Sequence, residues 1–446
     1  MNQFVVVCLT IGLSFLWRMI ATKKMRDFMM PWTFAWIFFN MACICFVPGI
    51  FRTLMAITNY IATAILIDGF AAGDRHRNGS WGAFVFFWIY VIISCLFGYH
   101  KFMGMVFWIN AFLVSYGSGY YFSRWLVNNE RGMKRLQFAF LAFSCIMILL
   151  YARHGGVAAV GETGRATFDT ETMHQDAIVN ENYTALTMLC FIPMLLVILF
   201  QAMRFKNGMI MTFLTFVCLV FCGLVLVRAG SRNGFVGLLP SFWYVLFSTT
   251  NRVQRRKRIL LFVVAAIVFL PIMFRMMRGV QSLRIIDFSG QELSASNMDK
   301  SDMITSGRLG LWRDHVREMS TFDRLIGRGL RKNDFIASRG QATVGNAHSA
   351  YMTIFYNSGM LGWLLLLIFL IKSTFMGLGM GDRGRIALLF IWTWFLSGAG
   401  ESLPVQGGVG GALAGLGMGL LCAGSIKDQM LMNNRDRSHF YGMWTR

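Results

Sequence analysis

Residues 351–372 read YMTIFYNSGMLGWLLLLIFLIK. A run of about 20 apolar residues is long enough to cross the hydrocarbon core of a bilayer as an α-helix. This run carries its first charged side chain only at Lys372. It therefore predicts a membrane-spanning helix, and similar runs recur along most of the chain.

The composition supports the same fold class. Of the 446 residues, 56% are hydrophobic and only 14% are charged, whereas a soluble protein carries about 25% charged residues. We predict an all-α integral membrane protein in which residues 1–446 form a single polytopic membrane domain.

We expect about 12–13 transmembrane helices, because each span needs about 20 apolar residues. The count falls by one if the first segment or 51–67 is re-entrant. A long polar loop, 276–350, precedes the last three helices. The predicted spans are 4–20, 29–48, 51–67, 82–100, 102–122, 137–151, 185–203, 209–227, 234–249, 259–275, 351–372, 386–400 and 408–426.

The formal net charge of +21 would suggest a nucleic-acid partner in a soluble protein. Here most Lys and Arg residues lie in short loops between apolar runs, where the positive-inside rule places them on the cytoplasmic side. We therefore expect no nucleic-acid partner. The same rule places three segments together on the outer face: 152–184, 228–234 and 276–350.

The outer loop 276–350 is rich in arginine, although an outer loop should be poor in it. Such an exception suggests a functional positive field, part of which is cancelled by acidic residues in the same loop. Within it, the spacing of Leu309, Trp312, Val316 and Met319 predicts an amphipathic helix over 306–319 that lies along the membrane surface. The glycine-rich run 407–419 is apolar, and its small residues should let helices pack closely.

Three outer arginines are candidates for binding phosphate. Arg232 lies in Gly-Ser-Arg-Asn-Gly at the junction of two spans, and a guanidinium matches phosphate oxygens bidentately. Arg228 is one helical turn away. For both, the alternative is a side chain that snorkels to the lipid headgroups. Arg308 is expected at the start of a helix, where backbone N–H groups also favour anions; its alternative is an ion pair with Asp302 or a neighbouring acid.

His348 is the candidate general base. It stands immediately before the 351–372 run, and its near-neutral pKa suits proton abstraction from a hydroxyl; the alternative is a purely structural histidine. Tyr351 lies one turn beyond it and is expected to orient it, to stack on a sugar, or to act as an interfacial anchor. Glu401, at another outer helix end, is expected to orient the base or to pair with an arginine.

The loop 152–184 contributes Arg165 as a possible supporting residue among several acids. A solvated acidic face is the favoured interpretation of this loop over a divalent-cation site, because no calcium-loop signature is present. The sequence contains no Walker motif, no His-Glu-x-x-His and no Gly-x-Ser-x-Gly. Their absence argues against a transport ATPase and a membrane serine hydrolase. We predict no metal site and no cofactor.

Several short motifs occur in a characteristic order between residues 150 and 365. They are Ser231-Arg232-Asn233-Gly234, Gly307-Arg308 with Trp312, Gly327-Arg328-Gly329, His348 with Tyr351, and then Gly359 and Gly362. In this order the chain resembles the O-antigen ligase and O-antigen polymerase superfamily of bacterial inner-membrane proteins. That family commonly has Asn after the histidine, where this chain has Ser349.

The resemblance implies a multi-pass protein of the bacterial inner membrane that acts as a metal-independent glycosyltransferase at the periplasmic face. Its donor would be an oligosaccharide linked to undecaprenyl diphosphate, and its acceptor a hydroxyl of a glycolipid or glycan. Arg232 and Arg308, with Arg228 beside them, would bind the diphosphate, and His348 would activate the acceptor. Whether the chain is a ligase or a polymerase stays open.

A second hypothesis is a transporter or flippase for an anionic lipid-linked sugar, and a third is a structural subunit of an envelope polysaccharide machine. Transporters usually place ionisable groups at the midplane and contain paired repeats. In this chain the candidate residues gather at one face and no repeat is visible. The sequence therefore favours the enzyme.

Overall fold

The computed structural model describes residues 3–43, 49–67, 79–98, 101–128, 131–153, 181–203, 209–229, 232–247, 319–329, 349–399 and 410–424, with single positions between 253 and 317. Within these ranges all regular elements are helices and no strand occurs. The predicted all-α membrane fold is therefore confirmed.

Each predicted span other than 259–275 overlaps a helix, and of 259–275 only three positions are described. A 3₁₀ turn, Cys95–Phe97, extends the fourth described helix. The helices are α1 Gln3–Ile20, α2 Lys23–Cys43, α3 Gly49–Ile67, α4 Gly79–Ser94, α5 Lys101–Asn128, α6 Gly132–Arg153, α7 Glu181–Ala202, α8 Met209–Ala229, α9 Arg232–Phe247, α10 Thr321–Ile326, α11 Ala350–Gly379, α12 Gly381–Ser397 and α13 Gly410–Gly424.

Four described segments are long and apolar enough to cross a bilayer: Gly132–Arg153, Ala185–Ala202, Met209–Val227 and Ala350–Gly379. Shorter apolar helices accompany them, among them Gly234–Phe247. Large apolar side chains are exposed on the outside of the bundle, as lipid-facing surfaces require. The chain is a multi-pass membrane protein.

Helix directions follow from side-chain contacts. At the start of α9, a Cβ added to Gly234 would lie 3.1 Å from the Cβ of Ala185, which is near the start of α7. Near the ends of the same two helices, the rings of Phe200 and Tyr244 are 6.1 Å apart. α7 and α9 are therefore parallel, as predicted for two helices that each follow an outer segment.

α13 packs closely against α5 through a row of glycines spaced by four residues, Gly411, Gly415 and Gly419. A Cβ at Gly415 would collide with Ser118 Oγ, and one at Gly419 would lie 2.8 Å from the carbonyl oxygen of Gly119. We call this contact the α5–α13 seam. It confirms that small residues of the predicted glycine-rich run allow close helix packing.

Candidate active site

The structure places the predicted site residues to different degrees. Tyr351 is described with its side chain, in the first turn of α11. Arg228 lies in the last turn of α8 and Arg232 is the first residue of α9, and only their backbones are described. The other predicted site residues, Arg165, Arg308, His348 and Glu401, lie outside the described residues.

α11 contains a sharp bend. Gly359 has φ 60° and ψ −162°, a backbone region that is essentially open only to glycine. The bend divides the helix into a short N-terminal part, residues 350–358, which we call the arm, and a long part, residues 360–379. We call the bend at Gly359 the elbow.

The arm is folded back towards the long part. The indole Nε1 of Trp363 donates a hydrogen bond of 3.1 Å to the carbonyl oxygen of Tyr351, and the two rings are 5.4 Å apart. In a straight helix, positions separated by 12 residues would be about 18 Å apart. The elbow therefore returns the start of α11 to the level of Trp363.

The start of the arm is fixed to the end of α12. The backbone N–H of Ala350 donates a 2.8 Å hydrogen bond to the carbonyl oxygen of Gly398. The hydroxyl of Tyr351 donates a 2.8 Å hydrogen bond to the carbonyl oxygen of Phe395, and the two rings are 4.8 Å apart. The donor proton of Tyr351 is thus used in packing two helices together, while its predicted role towards substrate stays a prediction.

Ser349 caps the arm. Its backbone is extended and its buried hydroxyl accepts the N–H of Met352 at 3.4 Å. Thr353 Oγ1 donates to the carbonyl oxygen of Ser349 at 2.8 Å. Ser and Asn are both strong N-cap residues, so the departure from the usual Asn leaves this helix start capped.

The predicted Gly-x-Gly turn is present at residues 327–329 and docks on the elbow. The N–H of Arg328 donates to the carbonyl oxygen of Tyr356 at 2.8 Å, and the N–H of Gly329 donates to that of Asn357 at 3.1 Å. In a continuous helix these carbonyls would accept N–H groups four residues later. The bend at Gly359 frees them, and the turn supplies the replacement donors that a buried carbonyl needs.

Three stretches of backbone meet at this point with no side chain between them. A Cβ at Gly359 would lie 2.5 Å from the carbonyl carbon of Leu325, and one at Gly98, after α4, would lie 2.6 Å from the carbonyl oxygen of Arg328. Tyr90 in α4 donates a 3.3 Å hydrogen bond to the carbonyl of the last α10 residue. We call this meeting of the α4 end, the 327–329 turn and the elbow the glycine junction.

A short polar network orders α10 before the turn. Ser320 and Asp323 form a reciprocal capping box, with both hydrogen bonds at 3.1 Å. Arg328 Nε is 3.0 Å from Asp323 Oδ2. Partial burial acts to raise the pKa of the Asp323 carboxyl, but the Ser320 hydrogen bonds and the Arg328 guanidinium outweigh it and hold that pKa below its ordinary value.

The start of α9 is packed where the end of α8 and the start of α7 meet. A Cβ at Gly234 would lie 3.3 Å from Leu226 in α8. Because Arg232 is the first residue of α9, it stands at the positive end of a helix dipole, where anions are favoured. α9 also packs along α12, and the end of α12 is fixed to the arm.

An apolar cavity of about 340 Å³ lies between α9, α11 and α12, and Pro240, Trp243, Thr374 and Trp392 are among its lining residues. Within the described part of the chain, no group of three or more His, Cys, Asp or Glu side chains could hold a metal ion.

Comparison with known proteins adds one finding to this geometry. Residues 214–367 match the family model described as O-Antigen ligase. We call residues 214–367, after the family that they match, the ligase domain. No curated protein and no solved structure matches the chain. The predicted resemblance to the O-antigen ligase and polymerase superfamily is therefore confirmed, and it indicates a glycosyltransferase of the ligase or polymerase type.

The ligase domain begins within α8 and ends within the long part of α11, so it includes both the 327–329 turn and the elbow. Of the predicted site residues, Arg165 and Glu401 fall outside it. The members inside it are Arg228, Arg232, Arg308, His348 and Tyr351.

Sequence reasoning missed the elbow and therefore the anchoring role of Trp363. Asn357-Ser358-Gly359 is a turn signal inside an otherwise apolar run, and it could have indicated a break in α11. Gly98 was missed because its importance comes from the approach of residue 328, which is remote in sequence.

Proposed function

We propose that the protein is a glycosyltransferase that transfers a glycan from an undecaprenyl diphosphate carrier to an acceptor hydroxyl at the periplasmic face of the bacterial inner membrane. The observation that carries the proposal is an O-antigen ligase domain whose α11 start is fixed against α12. His348 immediately precedes that fixed start, in the outer loop 276–350.

His348 is the proposed general base. It is two residues from Ala350, and two residues of chain reach at most about 7 Å. Ala350 is hydrogen-bonded to Gly398. We therefore propose that the base acts at the end of the bundle where α12 ends. Glu401 follows Gly398 by three residues, which supports its proposed role in orienting His348 or pairing with an arginine.

Arg232 and Arg308, with Arg228, are the proposed diphosphate-binding residues. The acceptor oxygen attacks the anomeric carbon while the bond between that carbon and the diphosphate oxygen breaks, and the electron pair leaves with the carrier diphosphate. Fixed guanidinium groups stabilise the negative charge that develops there. His348 accepts the proton from the acceptor hydroxyl, and the single displacement inverts the anomeric centre.

The positive charge for this step comes from arginine side chains, so we propose that transfer needs no metal ion. The apolar cavity beside α9 supports a lipid-linked donor, because Arg232 begins the helix that lines it. A prenyl chain bound in the cavity would then contact the same helix that carries Arg232, a proposed diphosphate-binding residue.

The test is an in vitro transfer reaction. Purified protein in vesicles, with a chelator present, is given an undecaprenyl diphosphate-linked oligosaccharide and an acceptor glycolipid, and released carrier and glycan size are followed by mass spectrometry. A ladder of lengths identifies a polymerase, and one discrete transfer identifies a ligase. Accumulation of donor across the membrane without carrier release would contradict the proposal and favour a transporter.

The role of the base is tested by comparing His348→Ala with the control His174→Ala, which removes a histidine from the loop 152–184. We expect His348→Ala to lower the transfer rate about 100-fold or more and His174→Ala to leave it unchanged. Equal rates in the two variants would contradict the assignment.

A further inference from the structure

The long part of α11 sets the depth of the elbow in the membrane. Residues 360–379 are helical, and 20 residues at 1.5 Å per residue span about 30 Å, the thickness of the hydrocarbon core. The elbow therefore lies at one boundary of the hydrocarbon core. The glycine junction holds α10 at the same level, because the backbone of Leu325 touches Gly359.

α10 exposes apolar side chains at this level. Phe322 is 62% exposed and Leu325 is 50% exposed. The acidic residue of this six-residue helix is Asp323. Immediately beyond the elbow, Met360 is 63% exposed on the long part of α11. Since α11 spans the membrane, Met360 faces lipid, and the exposed face of α10 continues that lipid-facing surface.

The charges around α10 suit an anionic interface. Its acid, Asp323, is paired with Arg328. Arg324 Nε donates to the carbonyl oxygen of Val316 at 3.1 Å, which ties α10 to the helical positions before it. Two exposed arginines, Arg313 and Arg317, stand one helical turn apart in that preceding segment. Each arginine near anionic headgroups is worth about 1 kcal/mol.

We propose that α10 anchors the glycine junction to the lipid bilayer: Phe322 and Leu325 insert at the membrane boundary, and Arg313 and Arg317 bind the phosphates of anionic lipids. The occupant of this surface is the bilayer itself. This role is independent of glycan transfer, since it needs neither His348 nor the carrier. The anchor fixes the depth in the membrane of the 327–329 turn, which is hydrogen-bonded to the elbow region.

Photo-crosslinking tests the insertion. Benzoylphenylalanine replaces Phe322 in one protein and Arg324 in the control, because position 324 lies about 200° around the helix from position 322. Both proteins are irradiated in phosphatidylcholine vesicles and adducts are identified by mass spectrometry. We expect lipid adducts predominantly from position 322. Equal lipid adducts from both positions, adducts of position 322 to a second protein copy, or no adduct at all would overturn the proposal.

A second measurement tests the arginines. Inclusion of phosphatidylglycerol should enrich its adducts at position 322, and R317Q should reduce that enrichment about fivefold, the fold-change that corresponds to about 1 kcal/mol. The matched control is R383Q, which removes an exposed arginine in the first turn of α12. An identical adduct ratio in R317Q and R383Q would contradict headgroup binding.

Discussion

The α5–α13 seam and the glycine junction are both built on glycine, for different physical reasons. In the seam the glycines are helical and an added Cβ mainly meets side chains, such as Ser118 and Phe122. In the junction, Gly327 and Gly359 have positive φ values of 92° and 60°, and an added Cβ meets backbone. The seam requires a small residue, whereas the junction requires glycine itself.

This difference separates two tasks. The seam joins two parallel helices of the scaffold, and neighbouring side chains there can shift to accept a larger residue. The junction fixes a segment of the ligase domain to the elbow through backbone hydrogen bonds, so an obstructing Cβ has no flexible neighbour to displace. We therefore expect graded losses in the seam and abrupt losses in the junction.

The largest effect is expected from Gly327→Ala. Its positive φ would cost an alanine about 1–3 kcal/mol, and the added Cβ would collide with the Asn357 carbonyl. We expect a loss of about 3 kcal/mol or more in the free energy of unfolding, or release of the 327–329 turn. Thermal unfolding in vesicles measures the loss of stability, and protease cleavage after Arg328 detects release of the turn. Wild-type stability with an intact turn would contradict the geometry.

Gly415→Ala is expected to cost about 1–3 kcal/mol by overpacking, because its Cβ collides with Ser118 Oγ. Ser118→Ala removes that oxygen. In a double-mutant cycle we expect the second change to recover about 1 kcal/mol of the loss. Strict additivity of the two changes would show that the seam is not packed as described.

Trp363→Phe removes the indole N–H that donates to Tyr351, and one hydrogen bond contributes about 1 kcal/mol. Trp125→Phe is a matched control, because its indole donates to the carbonyl oxygen of Asp27 at 3.0 Å, away from the elbow and the cavity. We expect similar losses of stability in both variants but slower glycan transfer only in Trp363→Phe. Equal transfer rates in the two variants would show that the hydrogen bond between Trp363 and the arm does not affect activity.

The smallest effect is expected from Asp323→Asn. The pKa of Asp323 is below its ordinary 3.8, so its ion pair stabilises the folded state fully above that value and loses this contribution as the pH falls through the folded-state pKa. For a partly exposed pair the increment is at most about 1 kcal/mol. Unfolding midpoints between about pH 7 and pH 3 should fall less in the variant than in the wild type. A parallel pH dependence in the two proteins would exclude the pair as its source.

The spans and the Gly-x-Gly turn could be predicted from sequence because both depend on local composition. Residues 351–372 predicted one membrane-spanning helix, however, and the structure places a bend at Gly359 inside it. That bend is stabilised by amides from residues 328 and 329, which lie some 30 residues earlier in the chain. Local apolarity carries no signal of such a partner.

The predicted site was only partly open to sequence reasoning for the same reason. Residue type and position indicated Tyr351 as an interfacial residue near the base. They gave no indication that its hydroxyl bonds to Phe395, because this contact depends on the return of the arm to the end of α12. The backbone placement of Arg228 and Arg232 at adjoining helix ends could be predicted from the sequence, since the polar segment 228–234 separates two apolar runs.

The central claim is that the elbow, unlike the seam, is required for the proposed transfer reaction. The most direct measurement compares carrier release by Gly359→Ala and Gly415→Ala in vesicles, at the same folded fraction judged by circular dichroism. The account predicts a loss of about 100-fold for Gly359→Ala, the cost of displacing a catalytic group by about 1 Å, and a near-wild-type rate for Gly415→Ala. Equal rates in the two folded variants would contradict it.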